Sequence, residues 1–131
     1  LISWMNLVQS LVSDNYEIVT ICPKRLSANQ EFQQFVDTNN IKVYNCPLYI
    51  GPFKLQERAS FKQKLKWCKK YLAAVKHKFV SLKQFYKILK KERPSIVHTN
   101  TGVIHEGFIA SKLLKIPHIW HLREYQDKDW N

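Results

Sequence analysis

Two short runs in this 131-residue sequence place hydrogen-bonding and charged side chains at the ends of apolar stretches. One is His98-Thr99-Asn100-Thr101-Gly102, which follows Ile96-Val97; the other is His121-Leu122-Arg123-Glu124, which follows Ile119-Trp120. An imidazole at a strand end can hydrogen-bond a substrate oxygen close to a reacting carbon. Arg123 can grip a phosphate or carboxylate through its planar fork, and Glu124 can orient either partner. Asn100, Thr101 and Gly102 stand ahead of an expected helix and could offer backbone N–H groups to an anion or to sugar hydroxyls. Plainer readings stand beside these: an Arg–Glu surface pair, an ordinary N-cap with a turn glycine, and a core His98 that donates to a backbone carbonyl. His105-Glu106 belongs to the first turn of the expected helix. With no second ligand four residues on, it lacks the HExxH spacing, and no metal site is assigned.

The elements that must position these runs alternate along the chain. Leu1, Trp4, Met5, Val8, Leu11 and Val12 recur at helical spacing, and Asn15 suits the left-handed residue that ends a helix. Tyr16–Cys22 is a β-branched run of the kind buried on both faces. Ser27 and Gln30 match a capping box for a helix carrying Phe32, Phe35 and Val36, closed by Asn39-Asn40. Ile41–Cys46 alternates like an edge strand. Ser60 and Gln63 match a second capping box. From there Phe61, Leu65, Cys68, Leu72, Val75, Phe79, Leu82, Tyr86 and Leu89 follow steps of four and three. This is one long helix, or two with a shallow break near His77–Ser81. Its stripe suits either a coiled-coil seam or packing on a sheet. Ser95–Asn100 reads as a strand, Thr101–Leu114 as a helix whose small Gly107 and Ser111 permit close approach to a sheet, and His118–Leu122, entered through Ile116-Pro117, as a last strand. Such alternation implies an α/β fold with a parallel sheet and right-handed crossovers. In an open sheet of that kind ligands sit outside the carboxyl ends of the strands. Residues 98–102 and 121–124 should therefore share one rim.

Composition narrows the classes. Apolar residues make up 45 % of the chain, enough for one real core. No apolar run reaches the ~20 residues of a membrane span. The opening segment has no basic n-region and no initiator Met, so it is read as a helix rather than a signal peptide, and the chain is expected to begin inside a longer protein. Cys22, Cys46 and Cys68 are odd in number and none forms a CxxC. Buried free thiols in a reducing compartment are expected.

The net charge of +11 is concentrated: Lys54–Arg93 holds 14 Lys and Arg against Glu57 and Glu92, and the remainder is close to neutral. A solvated helical face is one reading. Another is adhesion to an anionic membrane surface through Lys62, Lys66, Lys69 and Lys70. Nucleic-acid binding is the third, without a recognisable module to support it.

The stretch Arg93–Tyr125 resembles the amino-terminal domain of group 1, or family four, retaining glycosyltransferases of the GT-B fold. The similarity rests on Pro94-Ser95-Ile96-Val97-His98-Thr99-Asn100, on Ala110-Ser111-Lys112-Leu113-Leu114-Lys115, and on Ile116-Pro117-His118-Ile119-Trp120-His121. It covers about a quarter of the chain. The resemblance implies a three-layer α/β/α Rossmann-like domain, one half of a two-domain enzyme, which holds mainly the acceptor while the other half holds most of a nucleotide-sugar. His121 matches the family histidine near the donor sugar, where it positions the sugar and stabilises charge at the anomeric carbon without acting as a general base. Asn100, Thr101, Gly102, Arg123 and Glu124 would line the acceptor side. The nucleotide-sugar is a co-substrate, and no other cofactor or metal is implied. The acceptor would be a glycan or lipid-linked molecule, and the location cytoplasmic, peripheral on the inner face of the membrane.

Against the family pattern, the sequence lacks the first strand with its Gly-rich turn and a carboxyl-terminal half with a Glu-x7-Glu-like motif. The expectation is therefore a single domain over residues 1–131, incomplete at both ends and inactive alone, with a gap or distortion where that strand would lie. Two rivals remain. A dinucleotide oxidoreductase is disfavoured because Lys24-Arg25, rather than an acid, follows the first expected strand. A non-enzymatic module could act through the basic helix on an anionic membrane or nucleic acid.

Overall fold

The computed structural model describes residues 2–48, 60–101 and 104–121. The fold is mixed α/β with short parallel strand pairs, and it divides into two compact units, Leu1–Pro47 and Leu48–Asn131. Among the described residues the strands form two separate two-stranded sheets in place of the single sheet expected.

The first unit runs α1 (Ile2–Ser13), β1 (Val19–Cys22), α2 (Lys24–Ser27), α3 (Gln30–Thr38) and β2 (Lys42–Asn45). Asn15 ends α1 in the left-handed region at φ 62°, and Tyr16 N–H reaches back to the Leu11 carbonyl at 3.0 Å. Asn40 repeats the device after α3 with φ 50° and a 2.9 Å bond from Ile41 N–H to Val36 O. Both match the six-to-one closure of a Schellman turn. The strand after α1 is shorter than its β-branched run: Tyr16 is exposed, and only Thr20 and Cys22 are buried within β1. The expected capping box at Ser27 is not what opens α3. Ser27 ends α2 and donates to the Lys24 carbonyl, while the Asn29 side chain accepts from Phe32 N–H at 3.0 Å. β1 and β2 pair in parallel from Val19↔Lys42 to Cys22↔Asn45. Val8, Cys22, Phe32, Val36 and Ile41 form the core, and Trp4 stacks on Phe32 at 5.2 Å between ring centres. Burial pushes the Cys22 thiol pKa up, with a hydrogen bond from the Ser27 backbone opposing it. That thiol stays protonated and serves as packing.

The second unit contains α4 (Phe61–Glu92), β3 (Val97–Thr99), α5 (Glu106–Leu113) and β4 (His118–Trp120). The Ser60–Gln63 capping box forms in both directions. α4 is one unbroken helix of 32 residues, and it ends where Arg93 turns to φ 48° ahead of Pro94. Its packed face is not the four-three apolar stripe. Ala74, Ser81, Phe85 and Leu89 are buried, while Phe61, Leu65, Leu72 and Phe79 are exposed. Cys68 is exposed too, unlike Cys22 and Cys46. The buried face of α4 therefore shares only Leu89 with that stripe and includes small residues that summed hydrophobicity passes over.

α5 is why β3 and β4 hold their places. Ala110 and Ser111 are completely buried, and Gly107 lies so near β3 that a Cβ there would sit 2.6 Å from Thr99 Oγ1 and 3.8 Å from the Phe85 ring. The helix begins at Glu106, five residues later than the sequence suggests. β3 and β4 are parallel, with Val97↔His118, His98↔Ile119 and Thr99↔Trp120 opposed.

Gly107→Ala places a methyl group against a β-branched side chain that cannot swing away. Helix propensity favours Ala by about 1 kcal/mol, but overpacking of this kind costs about 1–3 kcal/mol. The expected outcome is a lower urea midpoint; a variant as stable as the parent would mean that α5 can lift from β3 freely.

Candidate functional site

The carboxyl ends of β3 and β4 are joined side by side. Beyond the last strand pair, His121 N–H donates to the Thr99 carbonyl at 2.8 Å. Residues 98–101 and His121 therefore share one rim, as parallel pairing requires. Gly102, Arg123 and Glu124 lie outside the described residues.

Alternation along the strands sorts the rim into two faces. On the face toward α5, Thr99 Oγ1 and His118 Nε2 are hydrogen-bonded at 2.9 Å. Phe108 of α5 stacks on Trp120 at 5.6 Å and meets His118 edge-on at 5.6 Å. The Trp120 indole N–H donates to the Thr101 carbonyl at 2.6 Å, which ties the segment after β3 to the end of β4. This bond keeps Thr101 on the rim, away from the helix start it was expected to form. His105 takes the position before α5, without a side-chain cap bond, and its ring meets Trp120 edge-on at 5.3 Å.

On the opposite face His98 and His121 lie together, with ring centres 5.8 Å apart. Both are exposed, as are Ile96 and Ile119 beside them. His98 is thus not the core histidine expected from its place one residue before the strand end. Its register opposite Ile119 turns it away from α5. The half-buried histidine is His118, which the sequence did not single out. Burial lowers its pKa by disfavouring the charged ring, so at neutral pH an uncharged imidazole shares the hydrogen bond with Thr99.

Two buried oxygens near this rim, Asn100 Oδ1 and Glu106 Oε1, find no hydrogen-bond partner among the described residues. Glu106 is only 4 % exposed. Leaving such an acceptor unsatisfied costs about 1–3 kcal/mol. Asn100 adjoins Thr99, and Glu106 adjoins Gly107, whose backbone touches Thr99. In the sequence Glu106 stands out only as part of a His-Glu pair that lacks metal-ligand spacing. The signal that could have found it is its position just ahead of the small Gly107, which presses the first turn of α5 onto the strand. Among the described residues no group of three or more His, Cys, Asp or Glu side chains could hold a metal ion.

This arrangement offers exposed imidazoles that can donate or accept, and aromatic walls. It suits the binding of a molecule rich in hydroxyl groups. Comparison with protein-family models, with curated proteins and with solved structures returned no significant match.

The lowered His118 pKa makes stability pH-dependent. Between the folded value and the 6.5 of an unfolded histidine, the unfolded chain binds more protons. The contribution is complete above 6.5 and is lost as pH falls through the folded value. Urea midpoints should therefore drop on acidification through this window, and the drop should shrink in His118→Gln. An unchanged slope in that variant would exclude His118 as its source.

Proposed function

We propose that this chain is the acceptor-side half of a retaining glycosyltransferase, a three-layer Rossmann-like domain of the GT-B type. The gene product carrying it would transfer a sugar from a nucleotide-sugar to a glycan or lipid-linked acceptor at the cytoplasmic side of a membrane. The observation that carries this reading is the joined rim of β3 and β4. It brings His121, Thr101 and Asn100 to one edge, where the Asn100 side-chain oxygen has no partner among the described residues. Sugar hydroxyls are donors and acceptors at once, so they can hydrogen-bond both an imidazole and the amide and hydroxyl side chains of this rim.

In this mechanism His121 hydrogen-bonds a hydroxyl of the sugar being moved and lends favourable electrostatics where positive charge grows at the anomeric carbon. The acceptor proton passes to the leaving phosphate on the same face, so no side chain of this domain acts as general base. Asn100, Thr101 and Gly102 line the acceptor. Arg123 supplies a fixed positive charge toward phosphate or carboxylate, and Glu124 orients it. The nucleotide-sugar is consumed as co-substrate, and no further cofactor is needed.

In the gene product containing this chain, His121→Ala should lower kcat/KM for sugar transfer by about 10²–10³, the usual effect of removing one preorganised hydrogen bond from a developing charge. Thermal unfolding should be unaffected, because His121 is exposed. Sugar transfer at the parent rate would remove the assignment of His121 and weaken the transferase reading with it.

A further inference from the structure

The first five turns of α4 carry an exposed apolar stripe inside a field of lysines. Phe61 is 81 % exposed, Leu65 52 %, Leu72 67 % and Phe79 69 %. With about 100° of rotation per residue, these four fall within about 40° of one line along the helix. The packed residues Ala74, Ser81 and Phe85 lie about 120–160° from that line, so the stripe is a second face and not the margin of the core. From Phe61 to Lys91 there are eleven lysines and no Asp or Glu.

We propose that this stripe is a docking surface for an anionic lipid bilayer. A bilayer satisfies both halves of the observation: the side chains enter the headgroup–acyl boundary, and ammonium groups on the flanks meet lipid phosphates. Lys62, Lys69 and Lys76 flank the stripe on one side at about 60–100°, and Lys64 flanks it on the other. Their apolar stems can lie along the surface while the charges stay at headgroup level. Lys66 and Lys70, named with Lys62 and Lys69 from the sequence, project about 140–180° from the stripe and face away from such a surface.

Other occupants fit less well. A second copy would bring its own lysines against these. A nucleic acid would satisfy the lysines but give nothing to the aliphatic Leu65 and Leu72. An acidic groove on a protein normally sets register through mixed charge, and this face has cations alone, as suits a fluid surface. Docking by α4 stands or falls independently of sugar transfer at the β3–β4 rim.

The test is co-sedimentation of the full chain with phosphatidylcholine vesicles, with and without phosphatidylglycerol. Two variants accompany it: Leu65→Ser/Leu72→Ser/Phe79→Ser and Lys62→Gln/Lys69→Gln/Lys76→Gln. All six side chains are exposed, so the far-ultraviolet circular dichroism of both variants should match the parent and report an intact fold. The parent should bind the anionic vesicles and not the neutral ones. The lysine variant should bind on the order of a hundredfold more weakly, from three lost contacts with a charged surface. The apolar variant should lose binding at least as severely. Equal binding to neutral vesicles, no binding to either kind, or an apolar variant that binds like the parent would each overturn the proposal. So would tighter binding to a single-stranded oligonucleotide that survives loss of the stripe.

Discussion

The second unit depends on how closely α5 can lie against β3. Alone, neither partner is self-sufficient. An eight-residue helix is too short to persist in water, and two strands of three residues each are marginal as a sheet. They persist by burying one another, and the absence of a Cβ at Gly107 sets the separation. At that distance Thr99 lies under the first turn of the helix, within reach of His118, and Phe108 covers the two rings of β4. Phe85 reaches the same point from α4. A larger residue at 107 would loosen three elements at once.

Close approach also explains the polar character of the rim. Pressing α5 onto β3 takes the Glu106 carboxyl out of water along with its apolar neighbours. At the first position of a helix the dipole favours a negative side chain, which offsets part of the desolvation. It supplies no partner for Oε1, however, and none is found among the described residues. The same geometry directs the Trp120 indole to the Thr101 carbonyl and holds the segment after β3 beside the end of β4. Packing and binding chemistry at this edge therefore have one origin.

What could be read from the sequence was local. Asn15 and Asn40 at helix ends, the Ser60–Gln63 box and the small face of α5 each follow from a few adjacent residues, and each is present. Where two local signals competed, their order was not legible. Ser27 and Asn29 can both cap α3, and Asn29 does so because Ser27 is already engaged by the turn of α2. The α4 stripe misled for a different reason. Periodicity finds the most apolar face, but the buried residues of α4 include Ala74 and Ser81, small residues that periodicity passes over. At the site, parallel order was enough to join residues 98–101 to His121. It could not say which histidine faces α5, since that turns on the register Val97↔His118.

The sign of the unmet groups separates two ligand chemistries that the rim residues alone leave open. Asn100 Oδ1 and Glu106 Oε1 are acceptors. A phosphate placed against them would bring more acceptors and would leave both oxygens as they are. A hydroxyl brings the proton they lack. The imidazoles of His98 and His121 are indifferent, since a ring can donate to either ligand. At these two positions, therefore, a hydrogen-bond donor relieves an unmet group and a phosphate does not.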